Sequence, residues 1–182
     1  MSDNTGIYVL DSVMLTHDVI KRRVSEIAAM IRSDYSGEEV VFVGVLKGAA
    51  IFLSDLVRDI GPDVEVIMDF IAVSSYGDSS TTSGVVKIVK DMDTYAEDKN
   101  VILVEDIMDT GLTLSYLQEM FTARGPRSFK TCVLLEKPER KKVDSVIDYK
   151  GFSIPDKFVV GYGLDYAGKW RHLPDIWCVA QR

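Results

Sequence analysis

The stretch VEDIMDTGLTL, Val104–Leu114, follows the apolar run NVIL and leads into SYLQEMF. A strand rich in branched aliphatics gives way there to a helix. Three carboxylates, Glu105, Asp106 and Asp109, stand at the junction, and Thr110, Gly111 and Thr113 follow them. Gly111 permits a tight turn, the helix after it begins with unpaired amides at the positive end of its dipole, and the two threonines add hydroxyl donors. That set suits a phosphate monoester, and by itself it equally suits a plain strand–turn–helix with threonine caps. The carboxylates tilt the reading toward a ligand. Alternation along the strand sends Glu105 and Asp106 in different directions. An acidic pair beside a phosphate cradle accepts hydrogen bonds from sugar hydroxyls and suits Mg2+, held directly or through water. The anion-binding and acidic halves then meet different parts of one ligand.

Working outward, helical and strand patterns alternate. THDVIKRRVSEIAAMIRSDYSG reads as a helix capped by Thr16, with Val19, Ile20, Val24, Ile27 and Ile31 as its apolar stripe and Gly37 as its stop. EVVFVGVL is a strand covered on both faces, and AAIFLSDLVRDIGP is a helix ended by Gly61-Pro62. VEVIMDFIAV, VVKIVKD, NVILVED and SFKTCVLLEK read as further strands, and TLSYLQEMFTARGP as a helix with Leu114, Leu117 and Phe121 on one side. This order predicts an α/β fold: a mostly parallel, twisted sheet flanked by helices. Such sheets bind ligands at the carboxyl ends of their strands. The opening stretch lies at one such end, LKGA at another and Lys137 at a third. The tail, with strand-like pieces such as KFVVGYGL and no clear helix, is expected to fold over that rim as a hood. SSYGDSSTTSG is too polar to pack and reads as a mobile loop or lid.

The 182 residues suit a single domain, and the 47% hydrophobic content is enough for a real core. We expect one domain over 1–182, its core spanning about 16–140, its hood mainly 141–182 with the N-terminal segment, and its lid about 73–84. A formal net charge of −7 argues against nucleic-acid binding through bulk positive charge. Cys132 and Cys178 have no metal-type spacing and read as buried thiols in a reducing compartment. MSDNTGIYVL lacks the basic and apolar regions of a signal peptide, and no apolar run is long enough to span a bilayer. The expected address is the cytoplasm, with no membrane partner.

VILVEDIMDTGLTL resembles the signature of the purine phosphoribosyltransferases, and the chain is similar to their hypoxanthine(-guanine) branch from about Tyr8 onward. VGVLKGA, SSYGDSSTTSG, LLEKPER and IPDKFVVGYGLDYAGKWRHLP occur in that family's order and at compatible spacing. The resemblance implies a type I phosphoribosyltransferase fold, Mg2+ as cofactor, a homodimer or homotetramer, and two substrates, 5-phosphoribosyl 1-pyrophosphate and a 6-oxopurine. It implies that the amides of Asp109, Thr110, Gly111, Leu112 and Thr113 hold the 5′-phosphate. Glu105 and Asp106 would meet the ribose hydroxyls and Mg2+, and Asp109 would handle the proton at purine N7. Lys47 and Gly48, whose loop can contain a cis Leu46–Lys47 peptide, would bind pyrophosphate together with Arg171. Lys137 would donate to purine O6, Phe158 would stack on the ring, and Val159 and Asp165 would read its edge. Asp165 would hold a second Mg2+, and Ser75 and Tyr76 would ride on the lid. Leu112 stands where some relatives have lysine and Ala49 where some have glycine; neither change removes a reacting group.

These residue types suit the implied chemistry. Cleaving the bond from ribose C1 to pyrophosphate leaves cationic character on the sugar, which nearby carboxylates stabilise. A carboxylate at N7 strengthens the purine as a nucleophile, and a lid keeps water from the electrophilic sugar. Two other readings stay in play. One is an RNA-binding regulator that keeps the same fold, opposed by the acidic balance and the intact hood segment. The other is a nucleotide hydrolase using GLDYAGKW, which is close to a P-loop but has Trp170 where a Ser or Thr should bind Mg2+.

Overall fold

The structure, a computed structural model, describes residues 8–75 and 86–181. The strands are β1 (Tyr8–Leu15), β2 (Glu39–Leu46), β3 (Glu65–Ser75), β4 (Val86–Lys90), β5 (Asn100–Met108), β6 (Ser128–Glu136), β7 (Tyr149–Ser153), β8 (Val159–Val160) and β9 (Ile176–Gln181). The helices are α1 (His17–Asp34), α2 (Ala50–Ile60) and α3 (Leu112–Ala123), with a 3-10 turn at Pro138–Arg140.

Six strands form the main sheet in the order β4-β3-β2-β5-β6-β7, parallel throughout except for β4 at its edge. The expected mostly parallel α/β sheet is therefore what forms. β7 adds a strand from beyond position 140 to this sheet, so the hood begins later than the sequence suggested. Tyr149 in β7 is buried against the α1 side of the core, which the polar residues around it concealed in the sequence.

Alternation along the central strands divides the core in two. Val40, Phe42, Ile102 and Val104 face α1 and α2, whereas Val41, Val43, Val101 and Leu103 face Leu114, Leu117 and Phe121 of α3. Phe42, Phe52 and Phe121 are fully buried, each worth about 1.5–3 kcal/mol of hydrophobic stabilisation. In α1, Ile20, Val24, Ile27 and Ile31 are buried as expected, with Ala28 in the stripe and Val19 turned to solvent. Thr16 makes no side-chain cap; the Asp175 carboxylate accepts from the His17 N–H at 2.7 Å instead.

The hood is a second, antiparallel sheet in the order β1-β9-β8. It is tied to the core by Tyr162, whose hydroxyl donates to Asp55 of α2 at 2.7 Å. Cys132 and Cys178 are buried and unbridged. No helix among the described residues is long and apolar enough to cross a membrane.

Candidate active site

Strand order reverses between β2 and β5: from β2 the sheet continues to β3 on one side, and from β5 to β6 on the other. Such switch points leave a crevice beyond the strand ends. The LKG loop (Leu46–Gly48) and the Glu105–Thr113 segment meet in it. The Leu46–Lys47 peptide is cis. Gly48 packs so tightly on Asp106 that a Cβ there would overlap the carboxylate. Gly163 of the hood, at φ +103°, lies against the Gly48 carbonyl with no room for a side chain. The LKG loop, Asp106 and the hood thus touch one another through two glycines.

Two clefts open from this junction. The smaller, about 110 Å3, is lined by Glu105, Met108, Asp109, Thr110, Gly111 and Thr113 among others. Gly111 has the left-handed φ of +83° that the turn requires and leads directly into α3. The β6–β7 connection braces this turn from outside: the Lys142 N–H donates to the Thr110 carbonyl at 3.0 Å and Ser145 Oγ to the Gly111 carbonyl at 3.2 Å. With those carbonyls occupied, what the turn and the first turn of α3 offer to the cleft is donors, a suitable lining for a phosphate.

The larger cleft, about 490 Å3, lies under the hood and is lined by Asp106, Ile107, Asp109, Lys137, Arg140, Phe158, Val159, Leu164 and Asp165. Lys137 is buried, with its ammonium 3.4 Å from Asp156 Oδ1. Phe158 is 47% exposed, so it is not ordinary core. Its ring stands edge-on to Tyr166 at 5.8 Å, and Tyr8 of β1 lies 6.1 Å away. Arg171 is 2.5 Å from Asp165 Oδ1 and donates to the Gly163 carbonyl at 2.6 Å, while the Gly168 N–H donates to Asp165 Oδ2.

The acidic pair divides between the clefts as strand alternation dictates, Glu105 toward the smaller and Asp106 toward the larger. Burial pushes the Glu105 carboxyl well above the usual range, and the neighbouring Asp106 pushes it further. Burial also raises Asp106, against the pull of the neighbouring Glu105 carboxyl, then of the Ile107 N–H and the charge of Arg171. Glu105 Oε2 is buried with no hydrogen-bond partner. An acceptor in that state fits a ligand hydroxyl or a cation. Among the described residues no three His, Cys, Asp or Glu side chains are grouped to hold a metal. Mg2+ commonly binds through one or two carboxylates plus substrate phosphates and water, so a site completed by substrate oxygens fits this donor set.

Lys47 is exposed, and Lys47, Gly48, Leu112 and Arg171 line neither of these two clefts. Ser75 closes β3, whereas Tyr76 and most of the expected lid lie outside the described residues. Arg140 and Asp156, absent from the sequence reading, join the site: Arg140 pairs with Asp109 at 2.7 Å and with Asp156 at 3.5 Å. In GLDYAGKW the backbone bridges Tyr166 to Lys169 and runs on through turns to β9, so the helix a P-loop requires does not follow.

A phosphate-sized cleft at a strand-to-helix turn, joined at a switch point to a hooded cleft, defines a phosphoribosyltransferase architecture. The chain belongs to the phosphoribosyl transferase domain family, whose sequence profile matches residues 14–167. It is 51% identical to the hypoxanthine-guanine phosphoribosyltransferase of Aquifex aeolicus over 168 residues, 92% of this chain and 93% of that protein. It is 47% identical to the Bacillus subtilis enzyme of the same name over 167 residues, 92% of each chain. A crystal structure of the hypoxanthine-guanine phosphoribosyltransferase of Bacillus anthracis superposes with a TM-score of 0.88 at 46% identity, covering 94% of this chain and 100% of that one.

Proposed function

We propose that this enzyme acts in purine salvage, transferring the 5-phosphoribosyl group from 5-phosphoribosyl 1-pyrophosphate to hypoxanthine and guanine, with IMP or GMP and pyrophosphate as products. The observation that carries the reading is the pairing of the two clefts, with Asp109 lining both. The smaller takes the 5′-phosphate on the Asp109–Thr113 backbone and the Thr110 and Thr113 hydroxyls. Glu105 and Asp106 accept from the ribose hydroxyls. The larger takes the base, with Phe158 against its face, Lys137 donating to O6, and Val159 and Asp165 at its far edge. An ammonium at position 6 favours a carbonyl and disfavours the amino group of adenine.

Asp109 accepts the N7 proton as the purine attacks C1, and its charge, with that of the acidic pair, stabilises the cationic sugar. Lys47, the Gly48 backbone and Arg171 hold the departing pyrophosphate. Mg2+, with Glu105, Asp106 and Asp165 as its protein partners, would neutralise the pyrophosphate as it leaves. Ser75 and Tyr76 would close over the reacting atoms.

A single domain, the cytoplasm as address and the absence of nucleic-acid or membrane partners complete the reading. Two unbridged, buried thiols and the acidic charge support it. Assembly as a homodimer or homotetramer is supported by the family resemblance, and light scattering tests it. The main test is a steady-state comparison of hypoxanthine, guanine, xanthine and adenine with 5-phosphoribosyl 1-pyrophosphate and Mg2+. Turnover of adenine at the level of hypoxanthine, or of no purine at all, overturns the assignment.

A further inference from the structure

Arg140 has no part in the proposed transfer chemistry, yet its guanidinium touches Asp109, on which proton transfer rests. We propose that Arg140 is a positioning residue that holds one oxygen of Asp109 and presents the other to the purine, and that Asp156 ties this contact to Lys137. The inference rests on the proposed role of Asp109.

Arg140 Nε lies 2.7 Å from Asp109 Oδ1. That oxygen is shut off from solvent and takes no aligned hydrogen bond, so the contact is one of charge with charge. The Asp109 side chain is nonetheless 41% exposed, which leaves Oδ2 as the oxygen open to a ligand. Arg140 Nη1 is 3.5 Å from Asp156 Oδ1, and Lys137 Nζ is 3.4 Å from the same atom. Asp109, Arg140, Asp156 and Lys137 therefore form a row of alternating charge whose sum is zero.

The row matches a geometric demand of the base. O6 and N7 are neighbouring atoms on one edge of a rigid ring. Lys137 and Asp109 must meet them at a fixed separation, although one follows β6 and the other follows β5. Arg140, on the 3-10 turn just beyond Lys137, bridges the two ends, and Asp156, between β7 and β8, clamps the bridge. Arg140 also places positive charge beside a carboxylate that shares its surroundings with Glu105 and Asp106, opposing their repulsion.

The test is single-turnover nucleotide formation, beside equilibrium binding of 5-phosphoribosyl 1-pyrophosphate, for Arg140→Met, Arg140→Lys, Asp109→Asn and the double variant Asp109→Asn/Arg140→Met. The Arg140 side chain is 44% exposed on a turn, so its truncation opens no core cavity. We expect Arg140→Met to slow the step about tenfold, within the range for contacting charged residues, with sugar-pyrophosphate binding unchanged. Arg140→Lys should recover most of the rate, and in the Asp109→Asn background the Met substitution should add no further loss. Multiplicative losses, an unaffected rate, or binding lost in step with rate overturns the role of Arg140 while leaving Asp109 in place. A normal rate for Asp109→Asn alone removes the base itself, and the Arg140 proposal falls with it.

Discussion

Replacing Gly48 with alanine should disable the enzyme with only modest damage to the fold. A Cβ at this position overlaps the Oδ2 and Cγ atoms of Asp106 and stands 3.0 Å from Oδ1. Asp106 is buried at the end of a central strand and cannot swing into solvent. An ordinary carbon–oxygen separation is about 3.3–3.6 Å and the Cβ would stand 1.6 Å from Oδ2, so the loop must retreat by about 2 Å. The loop has little freedom to retreat, because the Gly48 carbonyl is itself packed against Gly163 of the hood. A misplacement of about 1 Å at a reacting centre can cost on the order of a hundredfold in rate, and overpacking of this kind typically costs about 1–3 kcal/mol of stability. We therefore expect kcat/KM for 5-phosphoribosyl 1-pyrophosphate to fall about a hundredfold or more, with cooperative melting retained at lower Tm. Gly163→Ala, whose Cβ would collide with the Gly48 carbonyl, should give a similar kinetic defect. Gly125→Ala is the control: its φ of +67° strains alanine, but no atom lies within 4 Å of its Cβ, so it should lower Tm without altering kinetics. Wild-type kinetics in Gly48→Ala, or an equal kinetic defect in Gly125→Ala, would refute the idea that this close approach positions the Leu46–Gly48 loop for catalysis.

Lys137→Ala should weaken use of hypoxanthine by the loss of one charged hydrogen bond, about 1.5–3 kcal/mol, and leave equilibrium binding of the sugar pyrophosphate near normal; unchanged hypoxanthine kinetics would remove Lys137 from the base site. Asp109→Asn preserves shape and the backbone cradle but not basicity, so single-turnover formation of nucleotide should drop on the order of 10²–10⁴-fold, and a near-normal rate would count against the assignment. The acidic pair also predicts a pH dependence without ligand. Both carboxyls are raised in the folded state, so the fold binds more protons than the unfolded chain above about pH 4. Stability should consequently decline as pH rises from there through the raised folded values, and Glu105→Gln should flatten that slope in calorimetric melts; an unaltered slope would show that the pair is not its source.

The parallel sheet was legible because its strands are uninterrupted apolar runs, and an apolar run buried on both faces has few other fates. The strand-to-helix turn was legible for a local reason too, since Asp109, Thr110, Gly111 and Thr113 are near neighbours in sequence. What escaped depends on contacts between distant segments. Asp175 caps α1 from far along the chain. Arg140 meets Asp109 through the packing of two strand ends, and Asp156 reaches both Arg140 and Lys137 from the loop before the hood. Strand β1 gave no clean alternation because its pairing with β9 shifts register between Leu10 and Ser12 and again between Val13 and Leu15. Tyr8, in that strand, consequently went unrecognised as a neighbour of Phe158.

The pairing of Tyr8 with Gln181 and of Leu15 with Ile176 has a consequence for the order in which the enzyme matures. Each central strand finds a partner within a few dozen residues, so the sheet and the Asp109–Thr113 turn can assemble while the chain is still being made. β1 emerges first and must wait for β9, nearly the whole of the described chain later. During synthesis its apolar residues stand without their partner strand, a natural target for a chaperone that recognises exposed hydrophobic segments. A partly made chain would therefore hold the Asp109–Thr113 turn on its sheet before β9 closes the hood sheet. Ribosome-stalled chains ending before Ile176, which lack the partner of β1, should therefore release no nucleotide.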